Sequence, residues 1–380
     1  MILQYFYTEK KMERKEMKKK FLAVVMTAIC AVSALAGCGA NVSVTTESST
    51  TTETTEATEE ENADAAADGA VYKVGIIQYV DDASLNQIVA NVESKLDEIG
   101  AAQGVTFNYQ DYYFNGQADA TTLNQIVTEL INDEVDILVP IATPTALICQ
   151  SATEDNQIPV VFSAVSDPEG AGLVASNDAP GSNITGTSDA LNTNAVMDLM
   201  FAANPEITKV GLLYDKSQDS SDKPIAEAKA YLDAKGVEYV EKTGTTNDEV
   251  MLAADALIAE GVQATFTPTD NTIMTAELAI FEKFMDAGVA QYCGADSFAL
   301  NGAFCGYGVN YAVLGQETAE MVADILLNGA NPAETKVRIM DNGTATVNTE
   351  TAAAIGLSYD MFKDMCAEVV ETTTKEEFDN

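Results

Sequence analysis

The stretch KVGII at residues 73–77 returns as KVGLL at residues 209–213, and this doubled apolar run limits the possible folds more than any other feature of the chain. Around each copy, short apolar runs alternate with longer amphipathic ones. In the first half, strands are predicted at 73–77, 106–109, 137–141 and 159–163, with helical spacing over 85–99 and 121–132. In the second, strands are predicted at 210–214, 238–240, 264–267 and 290–293, with helices near 225–235, 248–260 and 275–288. Strands alternating with helices pair in parallel, need crossovers of one hand, and bury both faces of their sheet. The expected fold class is therefore α/β, with two Rossmann-like lobes built on parallel sheets, and the repeated stretch is the first strand of each. A length of 380 residues with 47% hydrophobic content supports two cores of ordinary size.

Residues 306–328 read as a short strand leading into a helix, and the tail from 337 to 371 as another extended stretch and a last helix. These pieces exceed what the second lobe needs. The simplest path returns the chain to the first lobe near Gly308 and crosses back near Lys336, after an earlier crossing at 186–190, giving a three-strand hinge. The expected division is 71–187 plus 308–335 for lobe 1 and 188–307 plus 336–380 for lobe 2.

Composition removes several function classes. With 59 acidic and 20 basic residues the formal charge is −39, so attraction to a phosphate backbone is excluded and no nucleic-acid partner is expected. Histidine is absent, which takes away the usual general base and the commonest zinc ligand and argues against an ordinary hydrolase. No glycine-rich phosphate loop occurs, so neither ATP hydrolysis nor NAD binding is expected, and no cofactor, metal or catalytic group is assigned.

The first forty residues bear on location. Lys18, Lys19 and Lys20 precede an apolar run over 21–35 of signal-peptide length, so residues 1–37 are expected to be an export signal. The run ends in Leu35-Ala36-Gly37-Cys38, small residues before a cysteine, which resembles the lipobox of bacterial lipoproteins. That resemblance implies cleavage before Cys38 and lipidation of its sulfur, anchoring the chain to the outer face of the bacterial cell membrane. Residues 38–70 are Thr, Ser, Glu, Asp and Ala without apolar periodicity, and are expected to form a disordered, self-repelling tether. Of the six cysteines, Cys149, Cys293, Cys305 and Cys366 then remain, at spacings that match no metal motif. Cys293 and Cys305 could pair outside the cell; buried free thiols are the reading favoured here.

Ligands of open parallel sheets sit beyond the carboxyl ends of the strands. Gln78 and Tyr79 lie at such an end, with Asp81 and Asp82. The corresponding end of the second copy, 215–222, holds Ser220 and Ser221 and should lie across the cleft. The third strand ends in Ala142-Thr143-Pro144-Thr145, with Thr143 at a predicted N-cap and Pro144 at the first helical position. Backbone N–H groups there could face an anionic oxygen; Thr143 could equally cap its own helix. The next strand runs through Ser163 to Ser166-Asp167-Pro168, by itself a turn signal. In the second half, Asp270-Asn271 and Asp296 end two strands, as helix caps or as acceptors for a ligand ammonium. The combined inventory is acceptors from Asp270 and Asp296, donors from Thr143, Thr145, Ser163 and Ser166, and rings from Tyr79 and Tyr311. It suits an amino-acid zwitterion with an apolar side chain. Only Arg14 and Arg338 are arginines, so a guanidinium clamp could come only from Arg338.

Several stretches then occur in family order: 74–85, Ile141-Ala142-Thr143-Pro144-Thr145-Ala146, 161–168 with 170–174, Asn183-Ile184-Thr185-Gly186, Pro268-Thr269-Asp270-Asn271 and 306–315. Together they resemble the ABC-transporter substrate-binding lipoproteins of the TrpX type, receptors of the type I periplasmic-binding-protein class, over nearly all of 72–365. The resemblance implies a monomeric receptor that captures a small ligand, an aromatic or other apolar amino acid being expected, between two closing lobes. It would deliver that ligand to a permease driven by a separate ATPase. It further implies ligand contacts from Gln78, Thr143, Ser163, Ser166, Asp270 and Asp296. Where the family often has an Asn-Ser pair, this chain has Asp219-Ser220-Ser221-Asp222, and where an aspartate often precedes the tyrosine it has Asn310. Two other classes remain open at this point: a receptor of the same fold that signals occupancy to a membrane protein, and an enzyme using paired aspartates, as in glycoside hydrolysis.

Overall fold

The computed structural model describes residues 69–340 and 342–375. The expected export signal, Cys38 with its lipid, and the tether up to residue 68 lie outside the described residues. Among the described residues, no helix is long and apolar enough to cross a membrane.

The first lobe is laid down as β1 (Val71–Gln78), α1 (Ala83–Gln103), β2 (Thr106–Asn108), β3 (Tyr113–Asn115), α2 (Ala120–Asn132), β4 (Ile137–Ile141), α3 (Thr143–Thr153), β5 (Val160–Phe162) and β6 (Ile184–Ser188). β1 lies inside the sheet, with β4 in register from Val74↔Ile137 to Gln78↔Ile141 on one side. Its other side is shared end to end by β2 and β3, which pair with 71–73 and 76–78. The expected strand at 106–109 is therefore one of two pieces; the break falls at a turn over 109–112, closed by Tyr112 N–H to the Tyr109 carbonyl at 2.8 Å. Because helices cover both faces, Val74, Ile76 and Ile77 are all fully buried, and each such side chain stabilises the lobe by roughly 1.5–3 kcal/mol.

The second lobe runs α4 (Thr193–Ala203), β7 (Lys209–Tyr214), α5 (Asp219–Lys235), β8 (Glu238–Thr243), α6 (Asn247–Ala259), β9 (Ala264–Thr267), α7 (Asn271–Asp286), β10 (Ala290–Cys293), α8 (Asp296–Leu300) and β11 (Cys305–Gly308). Its sheet is ordered β8-β7-β9-β10-β11 and continues into β13 (Thr344–Asn348) and β14 (Glu368–Thr372). Only the β11–β13 pair is antiparallel. The repeated stretch is the first strand of both sheets. α5 starts six residues earlier than its predicted start, because Pro224, which reads as a helix opening, lies inside it. The tail ends in the strand β14 rather than in a helix, after the short helices α10 (Thr349–Ile355) and α11 (Phe362–Met365).

Between the lobes the chain crosses three times. β6 leads through Asp189 into α4, and β11 leads through Asn310 into α9 (Tyr311–Asn328), which packs on α1. That packing needs Gly315, since a Cβ there would lie 2.6 Å from the Ile88 carbonyl oxygen. The third crossing follows β12 (Arg338–Ile339), which pairs with β6 in the first sheet. It therefore lies beyond Met340, later than the expected Lys336, and residues 336–340 go with lobe 1. The crossings are tied to one another by Met340 N–H to Ser188 O at 2.9 Å, Gly343 N–H to Gly308 O at 3.1 Å, and Asn342 Nδ2 to Ala190 O at 2.7 Å. Cys149, Cys293 and Cys305 are buried free thiols and Cys366 is a partly exposed one.

One group works against the second lobe. Glu277, in the middle of α7, is fully buried and neither carboxyl oxygen has a hydrogen-bond partner among the described residues. Burial pushes its carboxyl up to about 8, offset only in part by the neighbouring Gln291. The folded chain therefore keeps a proton that the unfolded chain releases above about 4.5, and stability falls as pH rises between 4.5 and about 8. Glu277→Gln should raise the melting temperature, by the equivalent of a few kcal/mol at most, with the gain largest near pH 8 and small near pH 4.5. Thermal unfolding followed across that range checks it.

Candidate functional site

The carboxyl ends of β1, β4 and β5 face those of β7, β9 and β10, and the lobes touch across the gap. Ser84, at the start of α1, donates to Asp296 Oδ1 at 2.5 Å and accepts from Ser297 N–H at 3.3 Å, while Gln87 donates to Asp296 Oδ2 at 2.9 Å. On the other side of the gap, Ser166 and Thr269 share a hydroxyl–hydroxyl bond at 2.8 Å. These contacts hold the lobes together around a narrow cavity of about 20 Å³, so a ligand larger than a water molecule enters only when the lobes part.

Lobe 1 and the crossings line this cavity with Ser84, Leu85, Ala142, Thr143, Ala164, Ser166, Asp189 and Tyr311; lobe 2 adds Ser220, Thr269, Asn271, Met274 and Ala295. Two of the walls are backbone held in the left-handed region without glycine, Ala142 at φ 78° and Ala164 at φ 55°. Such conformations cost of order 1–3 kcal/mol each and persist where the surroundings force them, often at binding sites. At α3 the N-cap is Ala142, one residue before the predicted Thr143, and Pro144 stands second in the helix. Alanine has no side chain with which to cap, so the first turn of α3 opens on the cavity uncapped, with no acidic residue in it. The Thr145 hydroxyl in that turn is fully buried and has no partner among the described residues.

Of the residues expected from sequence, Thr143, Ser166, Ser220, Asn271 and Tyr311 line the cavity. The others do not line it; all but Thr145 and Tyr79 are committed to the framework by side-chain hydrogen bonds. Gln78 donates to Val80 O at 2.7 Å and Asn86 Oδ1 at 2.6 Å and accepts from the Tyr113 hydroxyl at 2.7 Å, which fixes the end of β1. Tyr79 is buried beside it. Ser163 bonds to Thr318 of α9 at 2.9 Å, and Asp167 closes its own turn by accepting from Gly170 N–H at 3.1 Å. Asp270 caps α7 through Thr272 and Ile273 N–H, both at 3.0 Å, and its second oxygen takes Asp215 N–H at 2.7 Å and the Ser221 hydroxyl at 2.6 Å. Four donors leave it nothing to offer a ligand, and Ser221 is spent with it. Asp296 acts as the latch already described and borders a separate hollow between α1, β11 and β14. Arg338 faces Glu317, Glu320 and Asp324 on α9, so the one arginine of the folded part is committed as well.

Asp189 is the residue that sequence reasoning passed over. It stands in the first crossing directly after β6, where a polar residue at a strand's carboxyl end was the available signal. It is 5% exposed, accepts from Ser166 Oγ at 3.0 Å and Tyr311 Oη at 3.4 Å, and has no cation beside it. Burial pushes its carboxyl above the ordinary range, against the two hydroxyls that lower it. Ala142, Ala164, Met274 and Ala295 form walls by position alone and carry no sequence signal.

The electrostatics of the junction are one-sided, because no basic side chain lines the cavity. Asp82 caps α1 through Ser84 N–H at 2.8 Å and Leu85 N–H at 3.3 Å. Burial and then the charge of Asp296 push its carboxyl up to about 7. Asp296 is raised by burial too, and Tyr311 is raised well above the usual phenol value by burial and by Asp189, Asp296 and Asp82 together. A cavity with one buried carboxylate at one point and an uncapped helix start at another can hold a small zwitterion by both charges.

Comparison with known proteins agrees. Residues 73–362 match the family described as ABC transporter substrate binding protein. A tyrosine-binding protein of Clostridioides difficile (strain R20291) is 27% identical over 340 residues, covering 89% of this chain and 93% of the relative. The crystal structure of an ABC domain in complex with L-Trp from Streptococcus pneumonia superposes with a TM-score of 0.73 at 27% identity, covering 79% of this chain and all (100%) of that one. The ligand-free, open structure of a substrate binding protein with adhesive properties from Clostridium difficile, also 27% identical and covering 80% of this chain and 100% of its own, gives only 0.61. Equal identity with a poorer fit to the open form accords with lobes that are drawn together here. With 290 consecutive positions inside the family's profile and both sheets arranged as in its type I periplasmic-binding-protein fold, the chain belongs to the ABC transporter substrate-binding proteins.

Proposed function

We propose that the protein captures an aromatic L-amino acid between its lobes, outside the cytoplasm, and hands it to the permease of an ABC importer. The observation that carries this is the pairing, in one cleft between the lobes, of Asp189 without a cation and the uncapped start of α3 without an anion. The ligand's ammonium takes Asp189, its carboxylate takes the first N–H groups of α3, and its side chain lies toward Met274 and Ala295. The relatives that bind tyrosine and L-Trp support an aromatic side chain. The protein is a receptor that releases its ligand unchanged, a monomer anchored through Cys38, and the ATPase that drives uptake is a separate chain. The hinge divides the chain at the three crossings, and Thr143, Ser166, Asn271 and Tyr311 shape the space around the zwitterion.

Calorimetric titration of the full chain should give micromolar or tighter binding of at least one aromatic amino acid and none of neutral sugars. Asp189→Asn should weaken it at least tenfold, since a buried ammonium then lacks its charged partner. If the variant bound as tightly as the parent, the ammonium would lie elsewhere.

Closure is also linked to pH. Open lobes separate Asp82 from Asp296 and return it to water; closed lobes raise its carboxyl to about 7. The closed form thus takes up a proton that the open form lacks between the ordinary carboxylate range and about 7. Affinity should fall as pH rises through that window, by up to tenfold per unit for one proton, and level off above it. Asp82→Asn keeps the helix cap and removes the proton, so its affinity should be flatter across pH 5.5 to 8.5 in the same titrations.

A further inference from the structure

Six hydroxyl-bearing side chains line the cavity, and four are spoken for: Ser84 with Asp296, Ser166 with Asp189 and Thr269, Thr269 with Ser166, and Tyr311 with Asp189. Thr143, the first residue of α3 and so beside the ligand's carboxylate in the reading above, and Ser220 remain. The hydroxyl of Ser220 is different. Ser220 is 3% exposed, borders the cavity as the second residue of α5, and its Oγ has no hydrogen-bond partner among the described residues. Leaving a buried hydroxyl unpaired costs roughly 1–3 kcal/mol, so its partner is to be sought in the space it faces.

The charged end of a zwitterion is a poor candidate. α5 is uncapped like α3, but its first turn already carries Asp219 and Asp222, which repel a ligand carboxylate, whereas the first turn of α3 carries no acid. For the ammonium, Asp189 offers a full charge where Ser220 offers a neutral oxygen. What remains is the ligand's side chain. Lobe 2 meets it with an apolar wall, Met274 and Ala295, in which Ser220 and Asn271 are the polar points free of the lobe contact. Asn271 already donates through Nδ2 to Gln218 Oε1 at 3.1 Å.

Building on the aromatic amino-acid reading above, we infer that Ser220 hydrogen-bonds the hydroxyl of a phenolic side chain and makes the receptor select tyrosine over phenylalanine. A phenol can both donate to and accept from a serine hydroxyl, while a plain phenyl ring leaves that hydroxyl buried and unpaired. A site built around such a bond rejects the analogue that lacks it far more strongly than an apolar pocket rejects a missing methylene.

Tyrosine and phenylalanine share one charged head and one ring, so each serves as the control for the other. In calorimetric titrations of the full chain, the parent should bind tyrosine about 10 to 100 times more tightly than phenylalanine. Ser220→Ala should lose most of that ratio by weakening tyrosine, with phenylalanine unchanged or improved. Ser220→Thr keeps the hydroxyl and should keep a preference for tyrosine. Equal weakening of both ligands in Ser220→Ala, at an unchanged melting temperature, would place Ser220 at the charged head and overturn the inference while leaving the aromatic reading intact. A parent that binds both alike would overturn it too. A parent that binds neither would remove the aromatic reading itself, and this inference with it.

Discussion

Where the two lobes and the hinge meet, Asp82, Asp189 and Asp296 all act on the hydroxyl of Tyr311, and no lysine or arginine lines the cavity to balance them. The closed arrangement is built on that imbalance. Buried carboxylates without a cation cost several kcal/mol unless hydrogen bonds, protons or a ligand compensate them. Ser84 and Gln87 serve Asp296, and the α1 N-terminus serves Asp82. Asp189 has two hydroxyls, one of them at 3.4 Å, and its own backbone N–H. Of the three only Asp189 borders the cavity, so a ligand's positive charge placed there would offset the cost of its burial.

The same logic explains why several promising strand-end residues face away from the cavity. A parallel strand that ends in a loop leaves backbone N–H groups and the next helix's first turn in need of partners. Asp270 meets that need for α7 and for the end of β7 at once, and Gln78 does so for β1, β3 and α1. Both hold the rim in shape. At α3 nothing fills the role, since Ala142 cannot, and the vacancy falls on the cavity. The division of labour is between strand ends whose polar groups are satisfied internally and the start of α3, which is left uncapped and free of acid.

This is also why the fold was more legible in the sequence than the site. Strand positions follow from apolar runs buried on both faces, so 137–141, 264–267 and 290–293 could be read to the residue. The third crossing could not, because whether 338–339 pairs with β6 or joins the second sheet depends on contacts across 151 residues, from Thr187 to Arg338, that no local pattern encodes. Thr143, Ser166, Ser220, Asn271 and Tyr311 were visible as polar or aromatic residues at strand ends. The choice between Asp189 and Asp270 was not, because both are aspartates after a strand. They differ only in how many donors surround them, which is a property of the assembled rim.

A ligand shifts the open–closed equilibrium only by as much as it binds the closed form better than the open one. If Asp189 and the start of α3 hold the zwitterion's head, they lie on lobe 1 and its crossing, and they can bind any amino acid while the lobes remain apart. They add affinity without favouring closure. The groups that such a ligand would meet only after closure are those with which lobe 2 lines the cavity: Ser220, Thr269, Asn271, Met274 and Ala295. Discrimination between side chains and the drive to close therefore reside in the same contacts. A ligand with the right head and the wrong side chain would occupy the open receptor and leave it open, which keeps it from presenting the closed shape to a permease.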